Sequence, residues 1–228
     1  MKKILFALTA LLFATTQVQA QREVGSITVG VNLGVGISSL THADYMPLTN
    51  APLDKEVHAA ALVNVAAEYQ LTEKLALGAA LGFAEQGCSW ENFNDGTVRF
   101  KDPEIELSYL QLPLTAKYYV LKNLAVKSGV QFGYLYDAEA NLTAKSYLEG
   151  RKLVTTQHLD IRDDCKRFDV SVPVALSYDF AKNFSVEMAY NIPLTRVNKH
   201  VGLGAKDNKN SVFMISVGYK VPLKKLKK

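Results

Sequence analysis

Cysteine is almost missing from this chain: Cys88 and Cys165 are the only two in 228 residues. So few thiols exclude a cysteine-rich metal centre or a disulfide-stapled scaffold, and leave room for one bridge at most. Long apolar runs are lacking as well. Even Ile4 to Ala14 falls short of the ~18 consecutive apolar residues that a spanning helix needs, so helical membrane spans are excluded. An excess of charge of one sign is absent: 26 basic residues, two of them at Lys2 and Lys3, face 22 acidic ones. That balance gives no argument for nucleic acid or for a strongly charged partner. The four histidines, His42, His58, His158 and His200, are dispersed, so the spacing predicts neither a metal nor a cofactor. None of them sits beside a serine in a recognisable motif, and no nucleophile–base pair is legible. Gly30, Gly34 and Gly36 do not open a helix as a phosphate loop requires; they belong to a strand. The sequence therefore predicts no catalytic residue.

What the chain does have is alternation. From Ile27 to Ile37 every second residue is β-branched or leucine, and Thr28, Gly30, Asn32, Gly34 and Gly36 lie between them. Such a strand is longer than the ~5–6 residues usual in globular sheets and matches the ~9–11 residues of a tilted membrane-spanning strand. A uniformly greasy face suits lipid, and a small, polar face suits the crowded inside of a narrow barrel.

Lys2 and Lys3, the apolar run after them and the small residues at Val18-Gln19-Ala20 predict a secretory signal peptide over 1–20, cleaved between Ala20 and Gln21. A β-barrel domain is then expected over 21–222, with a basic tail at 223–228. Export places the two cysteines where a Cys88–Cys165 disulfide is allowed.

The same period of two recurs in eight segments, at about 25–39, 58–70, 75–88, 105–121, 124–137, 167–179, 184–195 and 211–221. Pro113 and Pro173 interrupt the fourth and sixth, and predict a bulge or a local break in pairing. Turns at 71–74, 121–123 and 180–183 are short, whereas the connections at 40–57, 89–104, 138–166 and 196–210 are long. The expected fold is all-β: an eight-stranded antiparallel up-and-down transmembrane β-barrel with short periplasmic turns and long outer loops.

The stretch Tyr109-Leu-Gln-Leu-Pro-Leu-Thr-Ala-Lys-Tyr-Tyr119, with the glycine-containing strand Leu124 to Tyr136, resembles the PorT-like, "porin family" outer-membrane β-barrel domain of Gram-negative bacteria. Tyr69 to Leu75 and Ile215-Ser-Val-Gly-Tyr219 are similar to that family too. The resemblance implies a small OmpX-like barrel in the bacterial outer membrane, placed there by the barrel-assembly machinery, with no single activity attached. One departure is the C-terminus, where Tyr219 and Val221 are followed by a lysine-rich tail instead of a terminal aromatic.

Inward parity collects Glu68, Lys117, Lys127, Glu187 and Lys220 near the short turns, and predicts a charge-balanced layer across the periplasmic half of the lumen. Asn32, Asn64, Gln111, Gln131 and Asn191 are expected to fill the upper lumen. The function read from the residues is non-enzymatic: a structural or surface-interaction role through the long loops, carried by a monomer. Three alternatives stay open: a narrow channel for solutes or ions, an outer-membrane lipid-modifying enzyme, and an exported soluble barrel holding a small apolar ligand. Outer-membrane lipid and lipopolysaccharide are expected partners, the latter through Arg196, Lys199, Lys206 and Lys209, and a surface protein is a further one.

Overall fold

A computed structural model of the chain describes residues 23–43, 54–94, 98–148, 151–181, 183–199 and 207–223. The leader, with Ala20 and Gln21, and the tail beyond Leu223 lie outside the described residues, as do Lys206 and His200. The elements are all strands: β1 (Ile27–Leu40), β2 (Lys55–Glu56), β3 (His58–Gln70), β4 (Leu75–Trp90), β5 (Phe93–Asn94), β6 (Val98–Tyr119), β7 (Leu124–Leu148), β8 (Arg151–Asp160), β9 (Phe168–Asp179), β10 (Phe184–Pro193) and β11 (Asn210–Leu223). Eight of them close a ring in the order β1-β3-β4-β6-β7-β9-β10-β11, and β11 pairs back onto β1. Every neighbouring pair is antiparallel. Closure leaves no unpaired edge in the wall, the condition for a sheet to cross lipid.

Alternation decides which side faces out. On β1, Val35 is 71% exposed and Leu33 64%, while Gly34 and Ser38 are buried. The same inversion runs around the ring, with Val65, Leu81, Leu114, Val126, Val174, Met188 and Ile215 all exposed. A soluble barrel would turn these residues inward, so the uniformly apolar outer face rules that alternative out. Aromatics mark both ends of the apolar belt. Tyr69, Tyr118, Tyr178, Phe184 and Tyr219 sit toward the short turns, where Phe184 and Tyr219 are 5.0 Å apart. Toward the long loops, Phe83 meets Tyr136 edge-on at 5.9 Å and Tyr134 meets Phe168 at 5.4 Å. Such girdles are where amphipathic rings bridge tail and headgroup.

Both prolines break pairing without shifting it. The β4–β6 ladder skips Leu112 and Pro113, and the β7–β9 ladder skips Val172 and Pro173, while the register on either side is unchanged. Each proline keeps its pairing on the other flank, with Gln131 and Asn191 respectively. A residue without an N–H is tolerated when only one ladder must do without it. The register shifts of β6 against β7 fall elsewhere, at Lys101/Glu104 and Ser108/Tyr109.

Two of the four long connections are extended strand where irregular loop was expected. Residues 89–104 are largely strand, because β4 and β6 continue pairing to Ser89 and Glu104. In 138–166, β7 runs on to Leu148 and turns back as β8, so the two form a hairpin that extends beyond the barrel. The alternation that identifies membrane strands fades there, which is why composition reads these segments as loop.

Candidate functional site

The site is the lumen, which consists of three layers. At its outer end the inward residues are apolar. Leu40 of β1, Cys88 of β4, Leu107 and Tyr109 of β6, and Leu135 and Ala138 of β7 pack with Ala43, Cys165 and Val197 from the outer connections. Leu107, Leu135 and Cys88 are completely buried. Backbone bonds lace the connections over the mouth: Thr41 N–H to Lys209 O, Lys166 N–H to Val197 O, and Lys199 N–H to Asp164 O, at 2.6–2.9 Å. The Trp90 indole N–H donates to Ala43 O at 2.7 Å. The sequence reading missed this plug, because its members come from six separate stretches and each looks unremarkable alone.

Cys88 and Cys165 share the plug as free, buried thiols. Burial pushes the Cys165 thiol up to about 11, so little nucleophilic thiolate exists near neutral pH. Iodoacetamide without reductant should label neither cysteine at pH 8 in the folded protein and both after denaturation. Mass spectrometry showing no label after denaturation would instead demonstrate a bridge.

Beneath the plug lies a polar cavity of about 80 Å³, room for roughly five water molecules at about 15 Å³ each. Asn32, Asn64, Gln111, Gln131 and Asn191 all line it. The Asn32 amide donates to Asn64 Oδ1 at 2.6 Å. Space is kept small by close backbone approach. At Gly82, which lines the cavity, an added Cβ would stand 2.2 Å from the Val63 carbonyl oxygen, so the strand can carry no side chain there without moving.

The charges form two groups instead of a single layer. Lys127 Nζ pairs with Glu187 Oε1 at 2.6 Å. Lys220 Nζ reaches Glu68 at 3.1 Å, and Lys117 Nζ lies 3.9 Å from Glu68 and 3.6 Å from Asp179. Asp179 was not among the expected residues, though it stands at inward parity at the very end of β9. Including it matters: three lysines then face three carboxylates, and this lower group of charges is balanced. Lys117 is 2% exposed and lies over the Tyr119 ring, 5.0 Å from its centroid. Ala76, Tyr119 and Ala125 close the floor around it. Buried charges persist only when paired, and here every one of the six has an opposite charge within 4.0 Å.

The histidines separate in the same way. His42 Nδ1 meets Asp207 O at 3.2 Å and His158 Nδ1 meets Asn141 Oδ1 at 2.6 Å, both on the surface. His58, however, is brought beside a serine, with Nδ1 3.0 Å from Ser89 Oγ. Thirty-one residues separate the two in sequence, so only the sheet register makes them neighbours.

Residues 17–198 match the family described as outer membrane protein beta-barrel domain. Among solved structures, the chain is similar to Ail, the attachment invasion locus protein of Yersinia pestis, at 10% identity, over 87% of this chain and 100% of that one, with a TM-score of 0.45. It is similar to OprG from Pseudomonas aeruginosa at 14% identity, over 87% and 97%, with a TM-score of 0.44. Neisserial surface protein A aligns at 12% identity over 86% and 97%, with a TM-score of 0.41. No curated protein matches the sequence.

Proposed function

This chain belongs to the family of outer membrane protein beta-barrel domains of the bacterial outer membrane, and from that premise we propose that it is a non-enzymatic surface-interaction protein whose lumen is a structural filling. The observation that carries this reading is the hairpin beyond the barrel. β8 hydrogen-bonds only to β7 among the described residues, and all of 153–160 is exposed. Its far edge offers a row of backbone donors and acceptors, to which an extended partner segment can add as a further strand. The exposed side chains of Leu153, Val154 and Leu159 add apolar contacts to that edge.

A filled lumen supports the same reading from the inside. Apolar packing above, paired charges below and a floor around Tyr119 leave a cavity in place of a pore. Arg196 is paired with Asp207 of its own connection at 3.2 Å, so lipopolysaccharide phosphates are secondary to protein contact in this account. The chain acts as a monomer delivered by the barrel-assembly machinery.

Two measurements test it. A labelled peptide copying residues 139–148, the natural partner of β8, should bind the refolded chain and lose binding on Thr155→Pro, which removes an N–H from the strand. In planar bilayers the purified protein should give no steady conductance. Failure of the peptide to bind overturns the docking edge, and a stable open current would assign the narrow-channel alternative instead.

A further inference from the structure

On the outer rim, just beyond the girdle at Phe83, β4, β6 and β7 carry acidic residues on their outward faces. In register, Gly87 stands opposite Glu106 and Ser89 opposite Glu104, and Glu106 stands opposite Glu139 on the next strand. Glu85 precedes Gly87 on β4. Four carboxylates on adjacent strands repel one another, and acidic residues alone would mark nothing more than a solvated rim. The feature that sets this cluster apart is His58. Its side chain is only 9% exposed, although it stands among charged groups at the protein surface.

The imidazole is held in one orientation. Its Nδ1 is 3.0 Å from Ser89 Oγ and 3.8 Å from Glu104 Oε2. Its Cδ2 lies over Gly87, where an added Cβ would be 3.2 Å from it and 1.9 Å from the Ile105 carbonyl oxygen. Glycine at 87 leaves room for both the neighbouring backbone and the ring edge. Ser89 engages Nδ1, which leaves the ring a second nitrogen for another partner. One donor atom each from His58, Glu85 and Glu106 lies within 4.8 Å of the others. Ligands about 2.0–2.2 Å from a zinc ion in tetrahedral array stand about 3.3–3.6 Å apart, so rotation of the exposed Glu85 and half-buried Glu106 side chains brings the three donors to that spacing.

We propose that His58, Glu85 and Glu106 form a binding site for a divalent transition cation of the zinc class, with Ser89 as a positioning residue. An imidazole among the donors selects zinc-like ions over calcium and magnesium, which favour oxygen ligands alone. Ser89 and Glu104 lie beside the imidazole Nδ1 and fix the orientation of the ring. The same residues fit hydrolysis poorly. Attack by Ser89 on an ester would put an oxyanion on the substrate's carbonyl oxygen beside the carboxylates of Glu104 and Glu106, where catalysis needs hydrogen-bond donors. Dispersal along the sequence hides the site: positions 58, 85 and 106 have no metal-ligand spacing, and only strand pairing assembles them.

The test uses the full chain refolded in detergent micelles and isothermal titration with ZnCl2. One zinc per chain is expected, with His58→Gln and Glu106→Gln each weakening binding at least tenfold. Ser89→Ala should weaken it by roughly ten- to a hundredfold, and CaCl2 in excess should not compete. Circular dichroism and gel mobility without heating establish that each variant is folded; Glu106→Gln, at a surface position, keeps the test valid should His58→Gln fail to fold. The proposal is overturned by absence of saturable zinc binding, by an affinity unchanged in the folded variants, or by equal affinity for calcium. Fatty-acid release from phospholipid vesicles that is independent of zinc and lost in Ser89→Ala would also overturn it, reassigning the cluster to ester hydrolysis.

Discussion

Glu68→Gln should lower the stability of the folded barrel by about 3–5 kcal/mol, the cost of removing one partner from a buried ion pair. Glu68 lies between Lys220 at 3.1 Å and Lys117 at 3.9 Å, and its loss leaves both lysines with Asp179 as the remaining nearby carboxylate of that group. Lys117 cannot turn to solvent, since it is 2% exposed beneath the Tyr119 floor. The uncompensated cation, more than the missing attraction, sets the size of the effect. A second substitution separates the two contributions: Lys220→Met on the Glu68→Gln background should recover part of the loss, because it removes one of the two stranded cations. Equilibrium unfolding in urea from lipid vesicles measures both changes. A cost below about 1 kcal/mol, the range of surface pairs, would mean that water reaches the group freely and that the lumen is open at its periplasmic end.

The outer plug should be nearly as sensitive. Leu107→Ala and Leu135→Ala each remove a fully buried side chain from a cluster tied together by the laced connections. Large-to-small changes at such sites cost about 2–5 kcal/mol, with the higher values where the surroundings cannot relax. Relaxation is restricted here, because Leu107 and Leu135 are fully buried on barrel strands and Trp90 is pinned to Ala43. Unfolding midpoints of the two variants, compared with Leu33→Ala on the lipid face, provide the check. Equal costs inside and outside the barrel would mean that the plug is not a packed core.

Much of the barrel was legible in the residues. Period two over long strands marks the wall, glycine and small polar residues mark the lumen side, and the three short turns give the direction of travel. Glu68, Lys127, Glu187 and Lys220 line the cavity as their parity requires, and the five amide residues line it too. The misses have physical causes. Asp179 ends a strand, where parity is a weak guide, yet it supplies the third carboxylate against three lysines. The segments 89–104 and 138–166 read as loops because strands that leave the bilayer no longer need a uniform apolar face. Pro113 and Pro173 are locally unfavourable in strands, but a proline has two flanks and here gives up pairing on only one.

Taken alone, the amino-acid sequence determined that the chain is a lipid-facing barrel, because the side-chain period and the sign of each face are local properties written residue by residue. Neither the filling of that barrel nor the chemistry of its rim is local. The plug collects Leu40, Cys88, Leu107, Leu135, Cys165 and Val197, and the rim sets His58 beside Ser89 and Glu106, through strand register and closure of the ring. The plug's neighbours meet across the closed ring and the rim's meet across the paired strands β3, β4 and β6, so the tertiary structure alone decided which side chains pack over the mouth and that His58, Glu85 and Glu106 stand together.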